Sequence, residues 1–343
     1  MKFVAGVLSG GKGERFWPLS REDNPKQFLK IFGNKSLIEE TFHRLNRMKE
    51  VDEIFFISNS RFEEKLKSLF PDAFLILEPV GRNTAPACAA ANEYALRKYG
   101  DCILAIFPSD HYLEGENKFT ETIKKAKHLA EKGYIVTIGI KPDRPETGYG
   151  YIEKGIEIDA GAYSVRKFHE KPDRETAEKY LLSGNFYWNA GMFIWHVRTF
   201  DRALKAYMPD FYQDLKNTKI PEDIGLLYER APEISVDYAI MEKADNIAVV
   251  EGTFLWEDLG SFPSLANILT SDSYGNIIKG EMAFDECENS ILISEGPIIA
   301  ALGLKDMIVV STKDVVLVIP KSEAQKVKKL REILRAKNHT ELL

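Results

Sequence analysis

Through the first 140 residues, short apolar runs alternate with stretches of helical periodicity, and this alternation leaves few folds open. Residues 3–8 are a continuous apolar run that ends in Gly10 and Gly11, and similar runs recur at 54–57, 74–77, 103–107 and 135–138. A run of four to eight apolar residues bounded by turn formers reads as a strand buried on both faces. Between the runs, residues 37–48, 85–98 and 119–132 carry helical patterns. Strand and helix in strict alternation predict an α/β, Rossmann-like doubly wound domain with a mixed, mainly parallel sheet, whose ligands sit beyond the carboxyl ends of the strands. Chemistry is therefore expected at strand exits.

The chain has 343 residues, roughly twice a one-domain prior of about 150, so two units are expected. From residue 149 the pattern changes to longer strands with a helix at 174–182 and further helices at 198–207 and 236–243, which reads as an insertion completing a pocket. Beyond Phe262, short β runs at 289–293, 298–302, 307–310 and 315–319 predict a small C-terminal β domain, left-handed β-helix-like, with an assembly role. Pro320, Ser322 and Gln325 have capping-box spacing ahead of a last helix striped by Val327, Leu330 and Leu334. The expected boundaries are 1–262 for a catalytic domain and 263–343 for the β domain. No tight internal repeat is visible.

Lys and Arg number 46 against 52 Asp and Glu, so nucleic acid is not an expected partner and any anion must be bound locally. Cys88, Cys102 and Cys287 are too scattered for a disulfide frame or a CxxC metal site and read as core thiols. The run 3–8 is too short for a signal segment and no run nears the ~18 residues of a membrane span, so a cytoplasmic protein without a membrane partner is expected. The histidines, His111 included, show no metal-ligand spacing.

The densest motif is Leu8-Ser9-Gly10-Gly11-Lys12-Gly13-Glu14-Arg15-Phe16-Trp17-Pro18-Leu19-Ser20. Its glycines let backbone N–H groups approach a bulky anion and Arg15 adds a planar fork, which together suit a polyphosphate; the alternative is a flexible glycine turn. It is neither a P-loop, since Gly13 stands where Ser or Thr is needed, nor GxGxxG, since Phe16 fills the last position. Lys26, pinned by Pro25, offers a point charge to the same phosphates or is simply a solvated lysine. Asp110 follows Ser109 at a strand exit, where a carboxylate can hold a hard cation, and Asp258 follows another apolar run 148 residues later. Taken alone, either aspartate reads first as a helix cap or turn residue.

Taken together, the glycine-rich motif and Pro25-Lys26-Gln27-Phe28-Leu29 resemble the signature of the sugar-1-phosphate nucleotidyltransferases. The segment Glu78-Pro79-Val80-Gly81-Arg82-Asn83-Thr84-Ala85-Pro86-Ala87 is similar to that of the mannose-1-phosphate guanylyltransferases, and Pro108-Ser109-Asp110-His111 to their metal-binding strand end. Further matching blocks are 147–152, Glu170-Lys171-Pro172, 188–193, 235–243 and 256–261; the family often has Trp where Phe262 stands. The resemblance implies transfer of GMP from GTP to mannose 1-phosphate, giving GDP-mannose and pyrophosphate, with Mg²⁺ held by Asp110 and Asp258. It implies catalytic roles for Arg15, Lys26, Asp110, Lys171 and Asp258. It assigns the nucleotide to Leu8, Ser9, Gly10, Gly11, Gly13, Arg15, Lys26, Arg82, Asn83, Thr84, Ser109 and Asp110, and the sugar to Gly148, Glu170, Lys171 and Asn189. A strand-edged C-terminal domain favours a homodimer. The competing readings are a nucleotidyltransferase with another base or sugar, and a non-catalytic GDP-mannose sensor.

Overall fold

The apolar runs form the centre of a sheet. In the computed structural model, which describes residues 1–11 and 13–343, they are β1 (Lys2–Ser9), β2 (Glu53–Asn59), β3 (Phe74–Glu78), β4 (Cys102–Pro108) and, after the short β5 (Tyr112–Glu114), β6 (Ile135–Ile140). Lys12 of the glycine-rich motif lies outside the described residues. The later strands are β7 (Gly150–Asp159), β8 (Ala162–Glu170), β9 (Phe186–His196), β10 (Ile247–Gly252) and β11 (Leu255–Glu257). The chain divides into two compact units, Met1–Gly10 with Thr41–Ser109 and Leu113–Trp256, and Gly11–Glu40 with Asp110–Tyr112 and Glu257–Leu343.

Among the described residues, the first unit holds a nine-stranded sheet of order β3-β2-β1-β4-β9-β6-β10-β8-β7, with β9 also pairing β7. Pairing is parallel from β3 through β4 and between β6 and β10; β9 runs antiparallel to both β4 and β6 and makes the sheet mixed. The expected helices are α1 (Leu37–Asn46), α3 (Thr84–Tyr99), α4 (Glu116–Glu131), α5 (Arg174–Ser183) and α6 (Val197–Tyr207), with α2 (Glu63–Leu69) also present. Helix α3 is lined by buried Ala85, Ala87, Cys88, Ala89, Ala90 and Ala91, small side chains that bring it close to the sheet core of Phe55, Ile57, Leu104 and Ile106. Each fully buried Ile, Leu or Phe there is worth roughly 1.5–3 kcal/mol. Three helices escaped the pattern, α2, α7 (Pro209–Asn217) and α8 (Ile224–Arg230): each buries only one to three side chains, too few for a visible stripe.

The second unit contains β12 (Ile277–Lys279), β13 (Met282–Asp285), β14 (Ile291–Ser294), β15 (Ile299–Leu302), β16 (Met307–Ser311), β17 (Val316–Pro320) and α9 (Val327–Ala336). β12, β14 and β16 stack in parallel, as do β13 and β15, which is the arrangement of successive coils. Ile277 pairs with Ile291 and Ile291 with Ile308, so one coil takes 14 residues and the next 17. Unequal coils hide the repeat from sequence. β12 and β13 are also absent from the pattern read above.

The core of this unit joins Ile291, Ile293, Ile308 and Val310 of the coils to Phe16, Trp17, Phe262 and Val327, with the Phe16 and Phe262 rings 5.1 Å apart. A division after residue 262 therefore does not follow this unit, in which the glycine-rich loop packs on the coils. The capping box is not formed either. Residues Lys321–Lys326 make a 3₁₀ turn without a side-chain cap, and Gln325 bonds Arg15 instead.

Candidate active site

The second unit gathers Gly13, Arg15, Lys26, Asp110 and Asp258. Gly13 has φ of +59°, and a Cβ there would lie 2.3 Å from Lys26 Cβ and 2.7 Å from its backbone nitrogen, so glycine is required twice over. This close approach seats Lys26, which is 6% exposed. Its ammonium is 2.8 Å from Asp110 Oδ2 and donates to the Asp258 carbonyl oxygen. Two of three ammonium protons are thereby used among the described residues, which leaves one to offer a ligand. Burial pushes the Asp110 carboxyl up, but Lys26 and then His111 outweigh it and hold the group below its ordinary value. Asp258 ends above its ordinary value: burial raises it, and the Asp110 and Glu257 charges add to that against the pull of Lys26 and His111.

Asp258 Oδ1 is buried with no hydrogen-bond partner among the described residues. A methyl group on Gly260 would sit 3.1 Å from that oxygen and 3.7 Å from Arg15 Nη1, so the guanidinium flanks the same spot. Arg15 Nη1 donates to Gln325 Oε1 at 3.0 Å. Glu14, its chain neighbour, is turned instead to Arg331 Nη1 (3.1 Å) and Lys328 (3.5 Å), which keeps that carboxylate off Arg15. A Cβ added at Gly11 would meet nothing within 4 Å among the described residues beyond its chain neighbours.

The first unit holds the other expected residues. Leu8 and Ser9 end β1 with their carbonyls engaged: Ser109 N–H donates to Leu8 O (3.0 Å) and Ser58 Oγ to Ser9 O (2.8 Å). Gly10 would bring a Cβ to an ordinary 3.7 Å from Glu78 Oε2. Asn83, at φ +63°, caps α3 by accepting from Thr84 N–H (2.9 Å), and Thr84 Oγ1 accepts from Val236 N–H (2.9 Å). Arg82 Nε donates to the Tyr228 carbonyl (3.4 Å). Glu78, at the exit of β3, is 5% exposed and takes the Tyr228 hydroxyl at 2.7 Å; burial raises its carboxyl above the ordinary value despite that bond.

Gly148 N–H donates to Glu146 Oε1 (2.9 Å). A Cβ on Gly150 would lie 2.9 Å from Glu170 Oε2 and 3.7 Å from Asn189 Cβ, which places these two side chains around one point; Glu170 Oε1 also holds Lys171 Nζ at 2.5 Å. Asn189 Nδ2 donates to Asp237 Oδ1 (2.8 Å), at the start of a π-helical turn, Asp237–Met241. Burial, then the Glu170 charge, pushes Asp237 up to about 6.

Residues 4–273 match the family described as Nucleotidyl transferase, and residues 271–334 match the MannoseP isomerase/GMP-like beta-helix domain. The chain is 39% identical over 354 residues to a mannose-1-phosphate guanylyltransferase of Escherichia coli, covering 98% of this chain and 74% of that protein. A mannose-1-phosphate guanylyltransferase of Klebsiella pneumoniae is 38% identical over 354 residues with the same coverage. The chain belongs to the mannose-1-phosphate guanylyltransferase family. A crystal structure from Thermus thermophilus, described as a mannose-1-phosphate geranyltransferase, superposes with a TM-score of 0.92 at 32% identity over 98% of this chain and 100% of that one. Family membership makes the chain an enzyme of the nucleotidyl transferase class, an α/β fold carrying a β-helix domain.

Four residues placed at these clusters had no functional role in the sequence reading: Glu78, Glu146, Asp237 and Gln325, the last expected only as a capping residue. Glu78 and Asp237 lie inside matched blocks, and Glu78 stands at a strand exit, a signal equal to that of Asp110. Gln325 had no such signal, because its partner is 310 residues away.

Proposed function

We propose that the protein transfers GMP from GTP to α-D-mannose 1-phosphate, giving GDP-mannose and pyrophosphate, and that the reaction is reversible. The observation that carries this reading is the trio of buried Lys26 with the half-buried Asp110 and Asp258, in which the charge of Asp110 disfavours that of Asp258 and one buried Asp258 oxygen has no partner among the described residues. A core built for stability alone would not keep such a group. Relatives at 38–39% identity supply the substrates by name.

A phosphate oxygen of the sugar attacks the α-phosphorus in line as the bond to the β-phosphate oxygen breaks, and pyrophosphate leaves with that electron pair. The attacking oxygen is already anionic at neutral pH, so positioning and charge neutralisation replace a strong general base. In this reading Gly10, Gly11, Gly13, Arg15 and the free ammonium proton of Lys26 hold the leaving phosphates. Lys171 orients the incoming phosphate, and Gly148, Glu170 and Asn189 the sugar. Arg82, Asn83 and Thr84, with Leu8, Ser9 and Ser109, line the nucleoside, and the Glu78 carboxylate suits the N–H donors of guanine's pairing edge. The orphaned Asp258 Oδ1 and the raised Asp258 carboxyl fit a divalent cation; Asp110 and Asp258 would hold Mg²⁺, which neutralises charge on nucleotide oxygens when bound.

Among the described residues, no helix is long and apolar enough to cross a membrane, and the three cysteines are buried free thiols, which supports a cytoplasmic enzyme. β17 is the edge of its sheet with Val316 and Val318 facing out, an apolar strand edge that a second copy of the chain would cover, and we read the protein as a homodimer. Pyrophosphate release measured for GTP, ATP, UTP and dTTP with mannose 1-phosphate and glucose 1-phosphate tests the activity. The reading requires GTP with mannose 1-phosphate to be the best pair; release with none of them would leave a binding protein.

A further inference from the structure

We propose that Asp237 and its neighbours make Asn189 a pure hydrogen-bond donor towards the sugar, which deepens and rests on the reading that Asn189 lies in the sugar subsite. The amide has a fixed polarity. Gly191 N–H donates to Asn189 Oδ1 at 3.1 Å and Thr137 Oγ1 lies 3.0 Å from the same oxygen, while Asn189 Nδ2 faces Asp237 Oδ1 at 2.8 Å. A backbone N–H only donates and an ionised carboxylate only accepts, so the amide has one orientation available. Both lone pairs of the oxygen are taken and one N–H is spent on Asp237. What remains to offer is a single N–H.

Two further observations fit a ligand group at that N–H. The Glu170 carboxylate lies beside the same side chain, since a Cβ on Gly150 would stand 2.9 Å from Glu170 Oε2 and 3.7 Å from Asn189 Cβ, so a sugar hydroxyl bound between the two would accept from Asn189 and donate to Glu170. Asp237 opens a π-helical turn, a conformation that commonly marks functional sites, and Thr84 of the α3 cap bonds the backbone of the adjacent Val236. Asp237 acts through Asn189 and is a positioning residue. Its carboxylate faces Asn189, with Glu170 and Glu242 the charged groups acting on it.

Exchanging the two residues separates shape from polarity. Asn189→Asp alone sets two carboxylates face to face at neutral pH, so the melting temperature should fall and the KM for mannose 1-phosphate should rise by at least about tenfold, with the KM for GTP little changed. Adding Asp237→Asn restores the hydrogen bond with its direction reversed, and the melting temperature should return. The new carboxylate has no N–H for the sugar, so the raised KM should persist at pH 8. Recovery of both quantities in the double variant would overturn the inference. Asn189→Ala keeps the subsite reading separate: an unchanged KM for mannose 1-phosphate there removes Asn189 from the sugar site altogether.

Discussion

Substituting alanine at Gly13 and at Gly11 should give opposite outcomes, although both glycines belong to one motif. At Gly13 the backbone is left-handed, which costs a side-chain-bearing residue roughly 1–2 kcal/mol. The added Cβ would also stand 2.3 Å from Lys26 Cβ, where ordinary contact is about 3.5–4 Å, so one of the two must retreat by about 1.2–1.7 Å. Such overpacking adds about 1–3 kcal/mol, and the sum is about 2–5 kcal/mol. Spread over the unfolding entropy of a chain this size, that is a fall of about 3–7 °C in Tm. Lys26 is held to Asp110 at 2.8 Å and cannot retreat without carrying its ammonium away, so turnover should fall by about a hundredfold. A Cβ added at Gly11 would meet nothing within 4 Å among the described residues beyond its chain neighbours, and Gly11→Ala should move Tm by less than about 1 °C. Thermal melts of the three proteins, with steady-state pyrophosphate release, test the pair. Equal melting temperatures for the two variants, with normal turnover in Gly13→Ala, would show that the close approach to Lys26 constrains nothing.

Asp258→Asn removes a half-buried, disfavoured charge, so without metal the variant should melt no lower than the parent, while its turnover falls at least about a hundredfold, or about 2.7 kcal/mol; near-normal turnover with unchanged Mg²⁺ dependence would return Asp258 to a turn residue. Asp237, raised to about 6 from an ordinary 3.8, binds its proton more tightly when folded, so its contribution is complete below about pH 4 and lost as pH rises through about 6. Asp237→Asn should therefore gain Tm over the parent progressively from pH 4 to 7, and parallel Tm curves would refute the shift. Gln325→Glu places a carboxylate against the Arg15 guanidinium in competition with phosphate; for an exposed ion pair the KM for GTP should rise about two- to fivefold with kcat retained, and an unchanged KM would place Arg15 outside the phosphate site.

Legibility in the sequence followed the range of the interactions. The runs that became β1, β2, β4 and β6 were readable because a strand buried on both faces is apolar throughout, and α3 and α4 because their apolar residues recur in helical patterns over 85–98 and 119–132. β12 and β13 were not, since Ile278, Ala283 and Phe284 point outward from coils of unequal length. At the candidate site, the residue types were legible but their partnerships were not. Nothing local distinguishes Asp258, with a bare buried oxygen, from any aspartate after a strand, and the pairing of Lys26 with Asp110 spans 84 positions.

The capping-box expectation failed for a reason that bears on the C-terminal segment as a whole. Gln325 has the spacing of a local partner for Ser322, yet its amide serves Arg15, while Arg331, 7% exposed, serves Glu14 and the buried Val327 joins Phe16 and Trp17 in one core. Trp17 Nε1 further donates to the Leu342 carbonyl at 2.7 Å, and Glu22 N–H to that of Leu343 at 2.8 Å. A segment engaged only in assembly would not place its polar side chains on the glycine-rich loop. Burying Phe16, Trp17 and Phe262 contributes roughly 1.5–3 kcal/mol each, and the coils supply the surface that buries them. The geometry of the loop and the packing of the coils within this unit are therefore one cooperative property, and changes in the coil core should reach phosphate binding through Phe16 and Arg15.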